Sequence, residues 1–213
     1  MPDTAIPKFK NLSLLDNFLF AKLYRVNVTG RLLKKELVGT SELSSRHATW
    51  YHACSLPTLR EIFREIKGTN VSYDRFIDLG SGEGKACFYA SMKLDIKSVI
   101  GIEFSEKLYD VSQLNRLRFP RKNVSFFHGD ASDYLIPEGN NVVFMYNPFD
   151  SVLLERFLNR NVALFKQTKS IIAYANDCHR NSLIKFGFEA IYRNQITKNS
   201  IYEFSVPRMF HYE

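Results

Sequence analysis

The chain has 213 residues, 45% of them apolar, with 29 Lys/Arg against 22 Asp/Glu and a formal net charge of +7. That is enough for one globular domain with a full core plus an extension. No stretch reaches the ~18 apolar residues of a membrane span, because the best candidate, residues 12–24, is broken by Asp16, Asn17 and Lys22.

Residues 1–10 read as loose chain. Leu12, Leu15, Leu19 and Leu23 recur at helical spacing and predict a first helix. A second short helix is expected over residues 30–37, and residues 39–45 are polar and loop-like. Pro57 opens a helix whose apolar face is Leu59, Ile62, Phe63 and Ile66, closed by Gly68. Strands and helices then alternate. Strands are predicted at residues 75–79, 98–103, 124–128, 141–146 and 170–175. Helices follow the first strand to about Lys93, then start at Ser105 as cap with Leu108, Val111, Leu114 and Leu117. Leu153, Leu154, Phe157, Leu158, Val162 and Phe165 form the stripe of a strong amphipathic helix. A short helix at 181–186 precedes two strands, 188–197 and 200–206, joined by a Lys198-Asn199 turn. Five β-α units and a hairpin predict an open α/β sheet, mostly parallel, with an antiparallel edge. No internal repeat or low-complexity tract interrupts the pattern.

The most informative segment is Phe76 to Lys85, Phe-Ile-Asp-Leu-Gly-Ser-Gly-Glu-Gly-Lys. An apolar strand ends in an acid, and a Gly-x-Gly-x-Gly turn opens a helix. Glycine there lets main chain approach a nucleotide-like ligand. A Walker A loop requires Gly where Leu79 stands and Ser/Thr where Ala86 stands. The dinucleotide fingerprint fits Gly80 and Gly82 but meets Lys85 at its third glycine.

Ligands of such sheets bind at the carboxyl ends of the strands. The first strand ends at Asp78 and the loop Gly80, Ser81, Gly82 and Gly84; Asp78 suits an ammonium group. The second ends at Glu103 and Phe104, with Glu103 twenty-three residues after Gly80, where an acid is expected to accept from ribose hydroxyls. The alternative for Glu103 is an acid favouring a helix N-terminus. After the third strand, Asp130 offers a carboxylate for an adenine amino group, or alternatively a turn or cap acid, with Ala131 as a neighbouring cofactor contact. The fourth ends in Tyr146-Asn147-Pro148-Phe149-Asp150. Pro148 stops that strand and should hold Asn147 extended. Phe149 suits stacking on a flat substrate.

These strand ends resemble, in order, the class I S-adenosylmethionine-dependent methyltransferases over roughly residues 50–213. The resemblance implies a Rossmann-like seven-stranded sheet with an antiparallel C-terminal hairpin. It implies S-adenosylmethionine as cofactor, with Glu103 on its ribose and Asp130 on its adenine. The Asp-Leu-Gly-Ser-Gly loop is similar to that of the non-SET histone lysine methyltransferases, which also place Asn after strand four. Asn147-Pro148-Phe149 is similar to the Asn-Pro-Pro-Tyr/Phe motif of amino-group methyltransferases and lacks its second proline.

Residues 1–50 then read as a helical extension or cap, and residues 51–213 as the catalytic domain. Tyr51, in Trp50-Tyr51-His52, is assigned to cofactor contact. Methyl transfer needs alignment and desolvation more than a dedicated base. Asn147, Pro148 and Phe149 are therefore the candidate catalytic residues, with Asn147 orienting an amine and counted among the cofactor contacts as well. His52 and His128 read as structural. Cys54, Cys87 and Cys178, odd in number and far apart, offer no disulfide framework or metal site. With Pro2, Asp3 and Pro7 in place of a signal pattern, a cytoplasmic protein without metal is expected.

Residues 1–70 hold eleven Lys/Arg against six Asp/Glu, so the basic excess lies mainly in the N-terminal third. It suits an anionic partner or a solvated surface. The leading expectation is N-methylation of an amine, with a protein lysine foremost. The alternatives are a nucleic-acid base methyltransferase and a non-catalytic S-adenosylmethionine-binding module; a nicotinamide oxidoreductase ranks last. The acceptor stays open among protein, nucleic acid and small amine, and nothing in the sequence speaks to oligomeric state.

Overall fold

Near-continuous apolar strands need cover on both faces, and the amphipathic helices between them supply it. The computed structural model has this arrangement and describes residues 9–28, 31–32, 51–148 and 150–205. In chain order the elements are α1 (Phe9–Tyr24), β1 (Arg31–Leu32), β2 (Tyr51–His52), α2 (Leu56–Gly68), β3 (Arg75–Leu79), α3 (Lys85–Lys93), β4 (Ser98–Glu103), α4 (Glu106–Arg118) and β5 (Val124–His128). There follow a 3-10 turn (Ala131–Asp133), β6 (Asn141–Met145), α5 (Ser151–Gln167), β7 (Ile171–Tyr174), α6 (Arg180–Lys185), β8 (Phe188–Arg193) and β9 (Ser200–Phe204).

The main sheet has seven strands in the order β5-β4-β3-β6-β7-β9-β8. Strands β3 to β7 run parallel, and β9 lies antiparallel to both β7 and β8. The Rossmann-like sheet and its antiparallel C-terminal hairpin are thus as expected. The chain steps outward from β3 through β4 to β5, then returns to β6 on the other side of β3. Strand order reverses between β3 and β6, which opens a crevice at their carboxyl ends.

Alternate residues of each central strand feed two cores. On one face Phe76 stacks on Phe144 at 5.6 Å, under Leu59, Ile62 and Phe63 of α2 and Phe88 of α3. On the other, Ile77, Val143 and Tyr202 meet Leu153, Leu154, Phe157 and Phe165 of α5. Each such side chain contributes about 1.5–3 kcal/mol relative to exposure.

Several local expectations are corrected. Arg31–Leu32 pairs antiparallel with Tyr51–His52, so strand replaces helix within residues 30–37 where the chain is described. Helix α1 already includes Phe9 and Lys10, where loose chain was expected. Its leucine stripe is not its buried face: Leu15, Leu19 and Leu23 are 54%, 52% and 72% exposed. The face one step round is used instead. Asp16 pairs with Arg60 of α2, Phe20 meets Tyr89, and Tyr24 meets Phe119. In α4, Leu114 and Leu117 are likewise exposed, and the inward residues are Leu108, Ser112 and Asn115. Periodicity of apolar residues misses that face because Asn115 is buried for its bonds. Its Nδ2 donates to Glu83 O at 3.0 Å and Asn27 O at 2.7 Å, and its Oδ1 accepts from Asn27 N at 2.7 Å.

Ser55 caps α2, with Pro57 in its first turn, but the left-handed residue after the helix is Asn70 (φ 55°) rather than Gly68. Asn tolerates that conformation, so the glycine is not needed for it. The β8–β9 connection runs from Asn194 to Asn199 instead of a two-residue turn. Asn194 N donates to Asn199 O and Lys198 N to Asn194 O, each at 2.9 Å.

Candidate cofactor and acceptor site

The glycine loop leaves β3 with Gly80, Gly82 and Gly84 at φ 76°, 54° and 89°. Gly80 N and Ser81 N both donate to Ile102 O of β4 at 2.9 Å, which folds the loop over the neighbouring strand. A Cβ on Gly80 would lie 2.5 Å from Pro148 Cβ, and one on Gly84 would lie 2.4 Å from Phe126 Cζ. The left-handed dihedrals and the absence of space both require glycine at these two positions.

Two acids are buried at the adjoining strand ends. Glu103 is 3% exposed; Oε2 accepts from Gly82 N at 2.8 Å and Oε1 from Ser105 N at 2.9 Å. Burial pushes its carboxyl up to about 7, partly offset by the backbone donors of Ser105 and Gly82. Asp78, also 3% exposed, accepts from Cys87 Sγ at 3.5 Å. Burial raises it to about 7, against the lowering effect of Cys87 and with a further upward push from Glu103. Lys85, at the start of α3, is 2% exposed, and its ammonium donates to Cys54 O. That bond ties the segment after β2 to the glycine loop.

Asp130 caps the 3-10 turn, with Oδ1 accepting from Ser132 N at 2.8 Å. The cap reading therefore holds for that oxygen. Ala131 beside it is buried, and Phe104 is half-buried with its carbonyl 3.0 Å from His128 Nε2. His128 stacks on Tyr109 at 5.2 Å, a structural placement. Ser105 occupies the N-cap position of α4 without making a side-chain cap bond. Instead its main-chain N–H serves Glu103. The hydroxyls of Ser81, Ser105 and Ser132 are buried without a hydrogen-bond partner, one in each of the three loops.

The fourth strand end departs from expectation. Asn147 has φ 46°, so it is left-handed rather than extended. A residue before proline avoids the right-handed helical region, and Asn is one of the few that accepts the left-handed alternative. The turn carries Pro148 onto Gly80. The Asn147 Oδ1 accepts from Cys178 Sγ at 3.1 Å. Tyr146 is 37% exposed at the same end. Phe149 lies outside the described residues, as does the Tyr51 side chain, although the Tyr51 main chain forms β2. Asp150 caps α5 through Val152 N at 3.0 Å.

Residues 47–136 match the family model described as histone methylation protein DOT1, a segment that carries the glycine loop, Glu103 and Asp130. No curated protein matches the chain in sequence. Among solved structures it is similar to an RNA methyltransferase from Salinibacter ruber in complex with S-adenosyl-L-homocysteine, at 19% identity and TM-score 0.51, covering 74% of this chain and 95% of that one. It is also similar to the ribosomal protein L11 methylase of Lactobacillus delbrueckii subsp. bulgaricus, at 14% identity and TM-score 0.52, covering 70% and 80%. A third similar structure is the glycopeptide N-methyltransferase MtfA, at 13% identity and TM-score 0.56, covering 70% and 90%.

The chain has the fold of the class I S-adenosylmethionine-dependent methyltransferases.

The residues at these strand ends fit S-adenosylmethionine. The buried serine hydroxyls can serve a polar ligand. A carboxylate has about four acceptor positions, so Glu103 keeps capacity for a diol beyond its two backbone bonds. Among the described residues no group of three or more His, Cys, Asp or Glu is placed to hold a metal ion. No helix among them is long and apolar enough to cross a membrane.

The raised acids should make the stability of the folded chain depend on pH. Asp78 and Glu103 titrate near 7 when folded, against 3.8 and 4.5 as ordinary values, so the folded chain holds their protons longer. Their contribution to stability is fully present below about 4 and is lost as pH rises through about 7. The ligand-free midpoint of thermal unfolding is expected to be higher at pH 6 than at pH 8. An ammonium placed beside Asp78 would favour its ionised form, so S-adenosylhomocysteine held that way should bind more tightly at pH 8, releasing protons at pH 6. Calorimetry in buffers of different ionisation enthalpy measures that release. Asn176-Asp177-Cys178-His179, a polar run directly after the apolar residues 171–175, carries the same contrast at the end of β7 and is the signal by which these residues are found in the sequence.

Proposed function

We propose that the methyltransferase acts on an amine nitrogen, with a protein lysine as the acceptor, in a reducing compartment such as the cytoplasm. The observation that carries this reading is Asn147. Its carboxamide oxygen is held at the carboxyl end of β6, and the following Pro148 abuts the glycine loop. A neutral carboxamide accepts a hydrogen bond from an amine without competing for its proton. The match of residues 47–136 to the DOT1 model supports a protein substrate. S-adenosylmethionine supplies an activated methyl group, so the protein's task is alignment and exclusion of water. In this reading Glu103 holds the ribose, Asp78 the ammonium, Asp130 the adenine amino group, and Tyr51 adds a contact from the N-terminal side. Residues 1–50 cap the domain formed by residues 51–213, with α1 packed on α2 through Asp16–Arg60. Asn147 orients the amine, with Pro148 fixing the turn and Phe149 adding an aromatic wall.

A nucleic-acid base acceptor is the second reading, favoured by the net charge of +7 and by the similarity to an RNA methyltransferase. Radiolabelled methyl transfer into a cell extract separates the two. Label removed by protease, with a methylated lysine found by mass spectrometry, is the expected result. Label removed by ribonuclease and resistant to protease overturns it. Asn147→Ala should lower turnover about 100-fold, the scale of one lost oriented dipole at a reacting centre, and leave S-adenosylhomocysteine affinity nearly unchanged.

A further inference from the structure

The loop after β7 is held by a buried carboxylate. Asp177 is 2% exposed and accepts four hydrogen bonds: Arg193 Nε at 2.7 Å, Arg193 Nη2 at 3.0 Å, Ser200 Oγ at 2.6 Å and Tyr202 OH at 2.7 Å. All three donor residues lie on the β8–β9 hairpin. The Asp177 N–H adds a bond to Lys198 O at 2.8 Å. Burial pushes the carboxyl up, but the Arg193 guanidinium and the two hydroxyls outweigh it and hold it below its ordinary value.

A second carboxylate grips the hairpin from the other side. Glu61 of α2 accepts from Tyr192 OH at 2.8 Å, Asn194 Nδ2 at 2.9 Å, Thr197 Oγ1 at 3.0 Å and Asn199 Nδ2 at 2.9 Å. Asn199 also joins the two clasps, because its Oδ1 accepts from Asn176 N at 3.3 Å. The next residue after Asp177 is Cys178, whose Sγ donates to the Asn147 oxygen.

A buried ion pair is a weak device for stability, since apolar residues of the same volume serve as well or better. Here its geometry leads to the carboxamide assigned to the acceptor. We propose that Asp177 and Cys178 are positioning residues for the acceptor side of the active site. Asp177 fixes the loop after β7 to the hairpin, and Cys178 then holds the Asn147 carboxamide in its acceptor-facing orientation. The β8–β9 hairpin thereby becomes part of the acceptor site. The proposal rests on the reading of Asn147 given above.

The test needs no identified acceptor. Sinefungin carries an amine on the carbon that replaces the sulfonium of S-adenosylmethionine, and S-adenosylhomocysteine lacks any group there. The ratio of their dissociation constants therefore reports on groups facing the reacting position. Wild type is expected to prefer sinefungin, and Asn147→Ala to lose that preference. Cys178→Ala should reduce it about three- to ten-fold, the worth of one hydrogen bond, with S-adenosylhomocysteine affinity and thermal midpoint unchanged. Cys178→Ser, which keeps a donor, should retain the wild-type ratio. Asp177→Asn should lower the ratio without changing S-adenosylhomocysteine affinity; if that variant does not fold, the Cys178 pair carries the test alone. A wild-type ratio in Cys178→Ala, with the preference lost in Asn147→Ala, overturns the positioning role. A wild-type ratio in Asn147→Ala removes the acceptor reading of Asn147, and the positioning role with it.

Discussion

Replacing Glu103 with Ala is expected to weaken S-adenosylhomocysteine binding by about 100-fold, equivalent to ~2.7 kcal/mol. Two effects add. The first is loss of the carboxylate proposed to accept from the ribose hydroxyls, where charge-assisted hydrogen bonds contribute about 1.5–3 kcal/mol each. The second acts through the loop. Gly82 N and Ser105 N both donate to the Glu103 carboxylate, so truncation leaves two backbone donors facing a cavity. The glycine loop should then lose its fixed shape as well as its charge partner. Isothermal titration checks the affinity. Unchanged affinity would remove the ribose assignment and leave Glu103 as a loop-bracing acid only. The variant also removes one of the two carboxyls raised to about 7, so the decline in ligand-free stability between pH 6 and pH 8 should become shallower.

The second large effect is expected at Gly80. In Gly80→Ala the residue sits at φ 76°, which costs a side-chain-bearing residue about 1–2 kcal/mol. Its Cβ would also lie 2.5 Å from Pro148 Cβ, so one of the two loops must shift. Overpacking of this kind costs about 1–3 kcal/mol. Together these should lower the thermal midpoint by about 5–15 °C. The displaced loop carries Asn147, so the preference for sinefungin over S-adenosylhomocysteine should fall in the same variant. A stable Gly80→Ala protein with both ligand affinities intact would show that Asn147-Pro148 and the glycine loop do not depend on each other.

The central strands were legible from the sequence because β3, β6 and β7 are covered on both faces, so each is a short, nearly continuous apolar run. The buried acids at two of the strand ends were legible for a related reason. An acid such as Asp78 or Glu103 at the end of an apolar strand contrasts with what precedes it. Asn147 stood out by the same contrast, but its backbone was misread. The proline rule excludes one region without saying which alternative is taken, and the contact of Pro148 with Gly80 goes with the left-handed one. The faces of α1 and α4 were misread for different reasons. In α1 the aromatic Phe20 is buried in place of Leu15 and Leu19, whereas in α4 Ser112 and Asn115 turn inward for hydrogen bonds and Leu114 and Leu117 stay outside. The clasp of Asp177 and Glu61 on the β8–β9 hairpin was invisible for a different reason. Glu61 meets Asn199 across 138 residues of sequence, and no local spacing encodes that.

The most direct test of the whole reading is a calorimetric titration of the protein with S-adenosylmethionine, S-adenosylhomocysteine and NAD at pH 8. Both S-adenosyl compounds are expected to bind at one site per chain and to raise the thermal midpoint, as mass action requires of a ligand of the folded state. NAD is expected to do neither. Binding of NAD without binding of either S-adenosyl compound would contradict the assignment of the crevice between β3 and β6 as a methyl-donor site.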